Sequence, residues 1–216
     1  TASGGPFRTK PAAEFDRITV EQALKHPSWD MGRKITIDSS TLFNKGLEMI
    51  EARWLFDIEM ERVQVVVHPQ SVIHSMVEFV DGSWLAQLST PDMCLPIQYA
   101  LTYPERRKSD RVTTNFAQIG SLHFEEPDTD RFPALKLARC AGTVGGTLPG
   151  VLNAANEVAV DAFCDRQLSY KGITALVSAV MDRHKTVKSP DLDSILASDR
   201  WAREEASRLL NSGFTG

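Results

Sequence analysis

In the stretch SSTLFNKGLEMIEARWLF, residues 39–56, apolar side chains return at Phe43, Leu47, Ile50 and Trp54, the spacing of a helix with one buried stripe. At 100° per residue, Thr41, Asn44, Lys45 and Glu48 fall within an arc of about 100° on the opposite face. The preceding KITID, residues 34–38, alternates and predicts a short strand feeding straight into that helix. RVQVVVHP, residues 62–69, predicts a continuous apolar strand, and SMVEFVDGSWLAQLS, residues 75–89, predicts a hairpin turning at Asp81, Gly82 and Ser83. Upstream, Thr19 with Gln22 forms a capping-box pattern that opens a short helix ending before Pro27. In the loop that follows, residues 28–33, Trp29 and Met31 flank Asp30 where turn chemistry favours small polar groups. Two readings stay open there: both side chains tuck into the core, or the loop is a lid that closes on a ligand.

Residues 103–128 lose clear periodicity and carry the charge cluster ERRKSDR, which reads as a connector. Beyond it, FPALKLARCAG, LPGVLNAANEVAVDAFCDRQ, YKGITALVSAVMDRHK and LDSILASDRWAREEASRLL are each helical by pattern, with Gly, Pro and Ser between them. The expected class is α/β. A catalytic domain with a mixed sheet spans residues 1–102, with a lid at about 24–33, and a small four-helix bundle spans 129–216.

Composition narrows the function classes. The chain has 216 residues, 42% hydrophobic and 24% charged, enough for a sizeable core. It contains no apolar run near the roughly 20 residues that cross a bilayer. A net charge of −4 with scattered basic residues argues against a nucleic-acid partner, leaving a small molecule or a protein. Cys94, Cys140 and Cys164 are odd in number and lack CxxC spacing, so neither a disulfide framework nor a zinc site is expected. The opening TASGGP reads as the interior of a longer polypeptide and gives no basis for judging targeting.

The polar helix face holds the candidate chemistry. Ser39 and Ser40 place hydroxyls at the predicted helix start, where one serves as an ordinary N-cap or both help the free N–H groups hold an anion. A phosphate ester bearing hydroxyls would use the whole face: Lys45 to neutralise charge, Asn44 to bond an oxygen, and Glu48 as a hard ligand for Mg²⁺ or Mn²⁺. One carboxylate does not hold a metal alone, and a simple i, i+3 ion pair between Lys45 and Glu48 is the competing explanation. His68 and His74, six apart, fit satisfied structural roles. His26, just before Pro27, is placed to move with the lid and to bond a phosphate, whereas His123 and His184 carry no signal.

Taken together, TASGGPFR, HPSWDMGRK, DSSTLFNKGLEMIEARWLF, VVVHPQSVIHSMV, LAQLSTPDM and LNAANEVAV resemble the 1-deoxy-D-xylulose 5-phosphate reductoisomerase family across nearly the whole chain. The resemblance implies an enzyme of the non-mevalonate isoprenoid pathway. It rearranges 1-deoxy-D-xylulose 5-phosphate by retro-aldol cleavage and re-addition, then reduces the aldehyde with NADPH to 2-C-methyl-D-erythritol 4-phosphate, with Mg²⁺ or Mn²⁺. By the same resemblance, Ser3, Ser39, Asn44 and Lys45 contact the substrate, and Glu48 is a metal ligand. Lys45 and Glu48 are the expected catalytic pair. His26, Trp29 and Met31 belong to the lid, with His26 and Trp29 against substrate, and Met31, Gly32, Pro91 and Met93 lie near the cofactor.

The family's NADPH-binding Rossmann domain, its Asp-x-Glu metal pair and an adjacent serine and lysine are expected before Thr1, and no GxGxxG occurs here. This chain alone is therefore expected to be inactive, and the intact enzyme to be a homodimer in a bacterial cytoplasm or plastid stroma. Two rivals remain at this point. One is a non-catalytic sugar-phosphate-binding or dimerisation module, and the other is a similar oxidoreductase acting on another phosphorylated substrate.

Overall fold

The computed structural model describes residues 1–25 and 31–214. They form two compact units: residues 1–3 with 65–127, and residues 4–64 with 128–216. The expected boundaries at 102 and 128 cut the chain differently. The helix at 43–56 clusters with the C-terminal helices, and the connector clusters with the hairpin.

The smaller unit holds the predicted hairpin. Strand β1 (Ile73–Glu78) pairs antiparallel with β2 (Trp84–Leu88), Met76 opposite Ala86. Its turn is fixed locally. Gly82 takes φ +81°, and the Asp81 carboxylate accepts from the Ser83 N–H at 2.9 Å and the Ser83 hydroxyl at 2.6 Å. RVQVVVHP departs from the expected strand. Only Val67 makes bridges, parallel to Ala2 and antiparallel to Glu125, so mixed pairing exists at one residue rather than along a ladder. His68 is fully buried beside it. Its Nδ1 lies 2.8 Å from the His123 carbonyl, its Nε2 accepts from Val72 N–H at 3.2 Å, and its ring stacks on Phe124, the satisfied role expected of it.

The larger unit is helical. Thr19 and Gln22 exchange both capping-box bonds at the head of the one-turn helix α1 (Val20–Ala23). The next element corrects the expected strand: KITID lies inside helix α2 (Arg33–Thr41). Thr36, Ile37, Ser40 and Thr41 form its buried face at helical spacing. The three hydroxyls are buried by bonding carbonyls of their own helix, Thr36 to Gly32 at 2.8 Å, Ser40 to Ile37 at 2.7 Å and Thr41 to Ile37 at 3.1 Å. A pattern read from apolar residues alone passes over such a face.

Helix α3 (Phe43–Phe56) follows after a single residue, Leu42, in the left-handed conformation at φ +66°. Its buried positions are Phe43, Gly46, Met49 and Ile50, whereas Trp54 from the expected stripe is 63% exposed beside Arg53. Gly46 sets this rotation. A Cβ there would stand 2.7 Å from the Ala138 Cβ, so only glycine allows this approach to the next long helix.

After Pro127, all four C-terminal helices appear as predicted: α6 (Ala134–Val144), α7 (Leu148–Cys164), α8 (Tyr170–Arg183) and α9 (Leu192–Asn211), numbered after the smaller unit's α4 (Cys94–Thr102) and α5 (Phe116–Ile119). Ser169 and Asp191 cap α8 and α9 with side-chain bonds to Gly172 and Ser194 N–H. Helix α7 is central and packs against α8, α9, α6 and α2. The rings of Phe7, Phe15 and Phe163 each meet Tyr170 edge-on in the core. No described helix is long and apolar enough to cross a membrane.

Candidate functional site

The left-handed break at Leu42 changes where the helix starts. Ser39 and Ser40 sit in the last turn of α2, not at the head of α3, so they do not form the anion-ready terminus expected of them. Thr41 likewise leaves the polar face. Its hydroxyl is buried, donating to the Ile37 carbonyl and lying 3.4 Å from Phe43 N–H as an acceptor.

Asn44, Lys45 and Glu48 do come together in the first turns of α3. Asn44 Nδ2 donates to Glu48 Oε1 at 2.8 Å, and Lys45 Nζ pairs with Glu48 Oε2. The Lys45 side chain is 17% exposed and that of Glu48 44%. The carboxylate thus takes a donor from each neighbour, and the ion-pair explanation is realised in the geometry. The same two donors are those an external anion would have to engage.

Gly4 and Gly5 of the SGGP stretch both have positive φ, +83° and +63°. Gly5 lies so close to the end of α2 that a Cβ on it would be 2.9 Å from Ser39 O. That approach fixes the backbone around Ser39. Ser3, Pro91 and Met93 belong to the smaller unit: Ser3 and Pro91 are half-buried, and Met93 is exposed just before α4. In the larger unit, Met31 is half-buried and Gly32 is the N-cap of α2. His26 and Trp29, and with them half of the expected lid, lie outside the described residues.

Sequence reasoning missed the polar groups behind the site. Asp38, 2% exposed, pairs with Lys34 at 2.6 Å and accepts from Asn156 Nδ2 at 2.8 Å. Burial pushes the Asp38 carboxyl above the usual carboxylate range, against the opposing pull of Lys34 and Asn156. Tyr170 donates its hydroxyl to the Ser40 carbonyl at 2.7 Å, and burial holds that phenol well above its ordinary value. LNAANEVAV carried the only available signal, an asparagine on an otherwise apolar helix face. A separate pocket of 320 Å³, lined among others by Phe15, Arg131, Phe132 and Tyr170, does not include Asn44, Lys45 or Glu48.

No group of three His, Cys, Asp or Glu side chains that could hold a metal ion occurs among the described residues. Glu48 offers one hard oxygen ligand, already engaged by Asn44 and Lys45, so this chain's described side chains do not by themselves build a divalent-cation site.

Fold and sequence together define a C-terminal portion of a reductoisomerase. A profile described as the DXP reductoisomerase C-terminal domain matches residues 88–205, and one described as the 1-deoxy-D-xylulose 5-phosphate reductoisomerase C-terminal domain matches residues 1–56. The chain belongs to the 1-deoxy-D-xylulose 5-phosphate reductoisomerase family. It is 56% identical over 212 residues to the reductoisomerase of Desulforamulus reducens, covering 98% of this chain and 55% of that protein. It is 57% identical over 209 residues to that of Prosthecochloris aestuarii, covering 97% and 55%. Among solved structures, the Zymomonas mobilis reductoisomerase in complex with NADPH superposes with a TM-score of 0.91 at 45% identity, covering 98% of this chain and 54% of that one. A reductoisomerase complex with NADPH, fosmidomycin and magnesium gives 0.92 at 44% identity, covering 97% and 54%. The chain therefore spans about half the length of the relatives it matches.

Proposed function

We propose that this chain supplies the phosphate-binding helix and the C-terminal helices of an enzyme that isomerises and reduces 1-deoxy-D-xylulose 5-phosphate to 2-C-methyl-D-erythritol 4-phosphate with NADPH and Mg²⁺ or Mn²⁺. The observation that carries this reading is the match over 98% of the chain at 56% identity. The convergence of Asn44, Lys45 and Glu48 on one face supports it. In this reading Lys45 and Asn44 leave the Glu48 carboxylate for the substrate's phosphate and adjoining oxygen, in company with Ser3 and Ser39. Glu48, so released, contributes one oxygen ligand to the cation, whose other ligands are not among the described side chains. Met31, Gly32, Pro91 and Met93 are proposed to line the cofactor, and His26 and Trp29 to close over substrate. The assembly proposed is a homodimer, and the compartment a bacterial cytoplasm or plastid stroma.

Two experiments test the reading. The chain alone, given NADPH, substrate and Mg²⁺, is expected to oxidise no NADPH. Joined to the remaining part of the Desulforamulus reducens relative, it is expected to turn over only with both sugar phosphate and divalent cation present. Lys45→Ala and Glu48→Gln should each lower kcat/KM of the joined enzyme about 100-fold or more. A folded hybrid with no turnover, or one indifferent to both substitutions, refutes the proposal.

A further inference from the structure

At the head of α3 the local side-chain bond comes from Thr41, whose hydroxyl lies 3.4 Å from the Phe43 N–H and which itself belongs to the last turn of α2. The N-cap of α3 is Leu42, which makes no side-chain cap bond and adopts a left-handed conformation that a leucine holds only under constraint. What Asn44 and Lys45 face therefore depends on whatever holds the last turn of α2 as well as on the packing of α3 against α6 at Gly46.

Two buried side chains from the C-terminal helices do so. Asn156 on α7 has no exposed surface and donates to Asp38 Oδ1 at 2.8 Å. Tyr170, at the start of α8, donates to the Ser40 carbonyl at 2.7 Å. These bonds grip the residues on either side of Ser39. Asn156 Oδ1 has no hydrogen-bond partner among the described residues, a costly state for a buried amide. An apolar side chain of similar volume would fill the same space without that cost. The amide is explained by its other end, the N–H that meets Asp38.

We propose that Asn156 and Tyr170 are positioning residues: from α7 and α8 they fix the end of α2 and, through Leu42, the direction of the Asn44 and Lys45 donors. The proposal rests on the anion-binding reading of those donors. It gives the C-terminal helices a part in the site that touches no ligand.

The test uses Tyr170→Phe, Asn156→Leu and, as a control, Arg139→Met, which removes bonds of 2.7 and 2.9 Å to the Met60 and Val63 carbonyls in the same unit but none to α2. Amide hydrogen exchange at residues 42–45 and the affinity for inorganic phosphate are measured well below each variant's melting midpoint. The two positioning variants are expected to speed exchange and weaken phosphate binding, each by about tenfold. The control is expected to lower the midpoint and leave both quantities unchanged. If the positioning variants only lower the midpoint, or the control matches them, the proposal is overturned. Should wild type bind no phosphate and Lys45→Ala change nothing, the anion reading fails separately, and the exchange comparison alone upholds or overturns the positioning role.

Discussion

Replacing Gly5 with alanine tests how the SGGP stretch supports the site. A Cβ at Gly5 would lie 2.9 Å from Ser39 O and 3.0 Å from Ser40 Cα. Both are backbone atoms of a helix end, so neither can swing aside as a side-chain tip would. Overpacking of this kind costs about 1–3 kcal/mol. The residue also sits at φ +63°, where an L side chain costs roughly 1–2 kcal/mol more. The sum, about 2–5 kcal/mol, is a large part of the 5–15 kcal/mol typical of a domain. Gly213→Ala separates the two contributions, because Gly213 has φ +85° but no atom within 4 Å of a built Cβ. It should lose only the conformational part. Thermal unfolding followed at 222 nm reads mainly the larger, helical unit. Gly5→Ala is expected to melt lower than Gly213→Ala by several degrees, given about 2–4 °C per kcal/mol for a chain of this size. Equal midpoints would refute the close approach of Gly5 to the end of α2.

Three further outcomes are expected. Gly46→Ala should destabilise the larger unit by about 1–3 kcal/mol through its clash with Ala138, and adding Ala138→Gly should restore much of the loss in a double-mutant cycle. His68→Ala should destabilise the smaller unit by about 2–4 kcal/mol, because it strips the partners from the Val72 N–H and the His123 carbonyl together with a stacked ring; urea titration followed by Trp84 fluorescence, with Trp29, Trp54 and Trp201 replaced by Phe in both proteins, measures it. For Asp38 the folded carboxyl lies above its unfolded value of about 3.9, so the folded state holds the proton longer and this group's contribution to stability falls as pH rises through the folded pKa. Wild type should therefore lose stability relative to Asp38→Asn as pH rises from about 4 toward neutrality, and a pH-independent difference between the two would contradict the buried placement of Asp38.

The sequence by itself determined those parts whose signals are local. The hairpin turn at Asp81, Gly82 and Ser83, the Thr19 capping box and all four C-terminal helices were legible because each is fixed by neighbours a few residues away. The family resemblance was legible for the same reason, being carried by short contiguous stretches. The meeting of Asn44, Lys45 and Glu48 followed from helical period alone. Tertiary structure decided the rest. KITID alternates like a strand, but hydroxyls that bond their own helix let Thr36, Ser40 and Thr41 serve as a buried face. The apolar period placed Trp54 inside, whereas Gly46 permits a close crossing with α6 that turns Trp54 out to solvent. Nothing near residue 42 in sequence announces a left-handed leucine between two helices. The helix turn just before it is bonded by Asn156 and Tyr170, more than 100 residues away, at Asp38 and the Ser40 carbonyl, so its surroundings became visible only once the chain was folded.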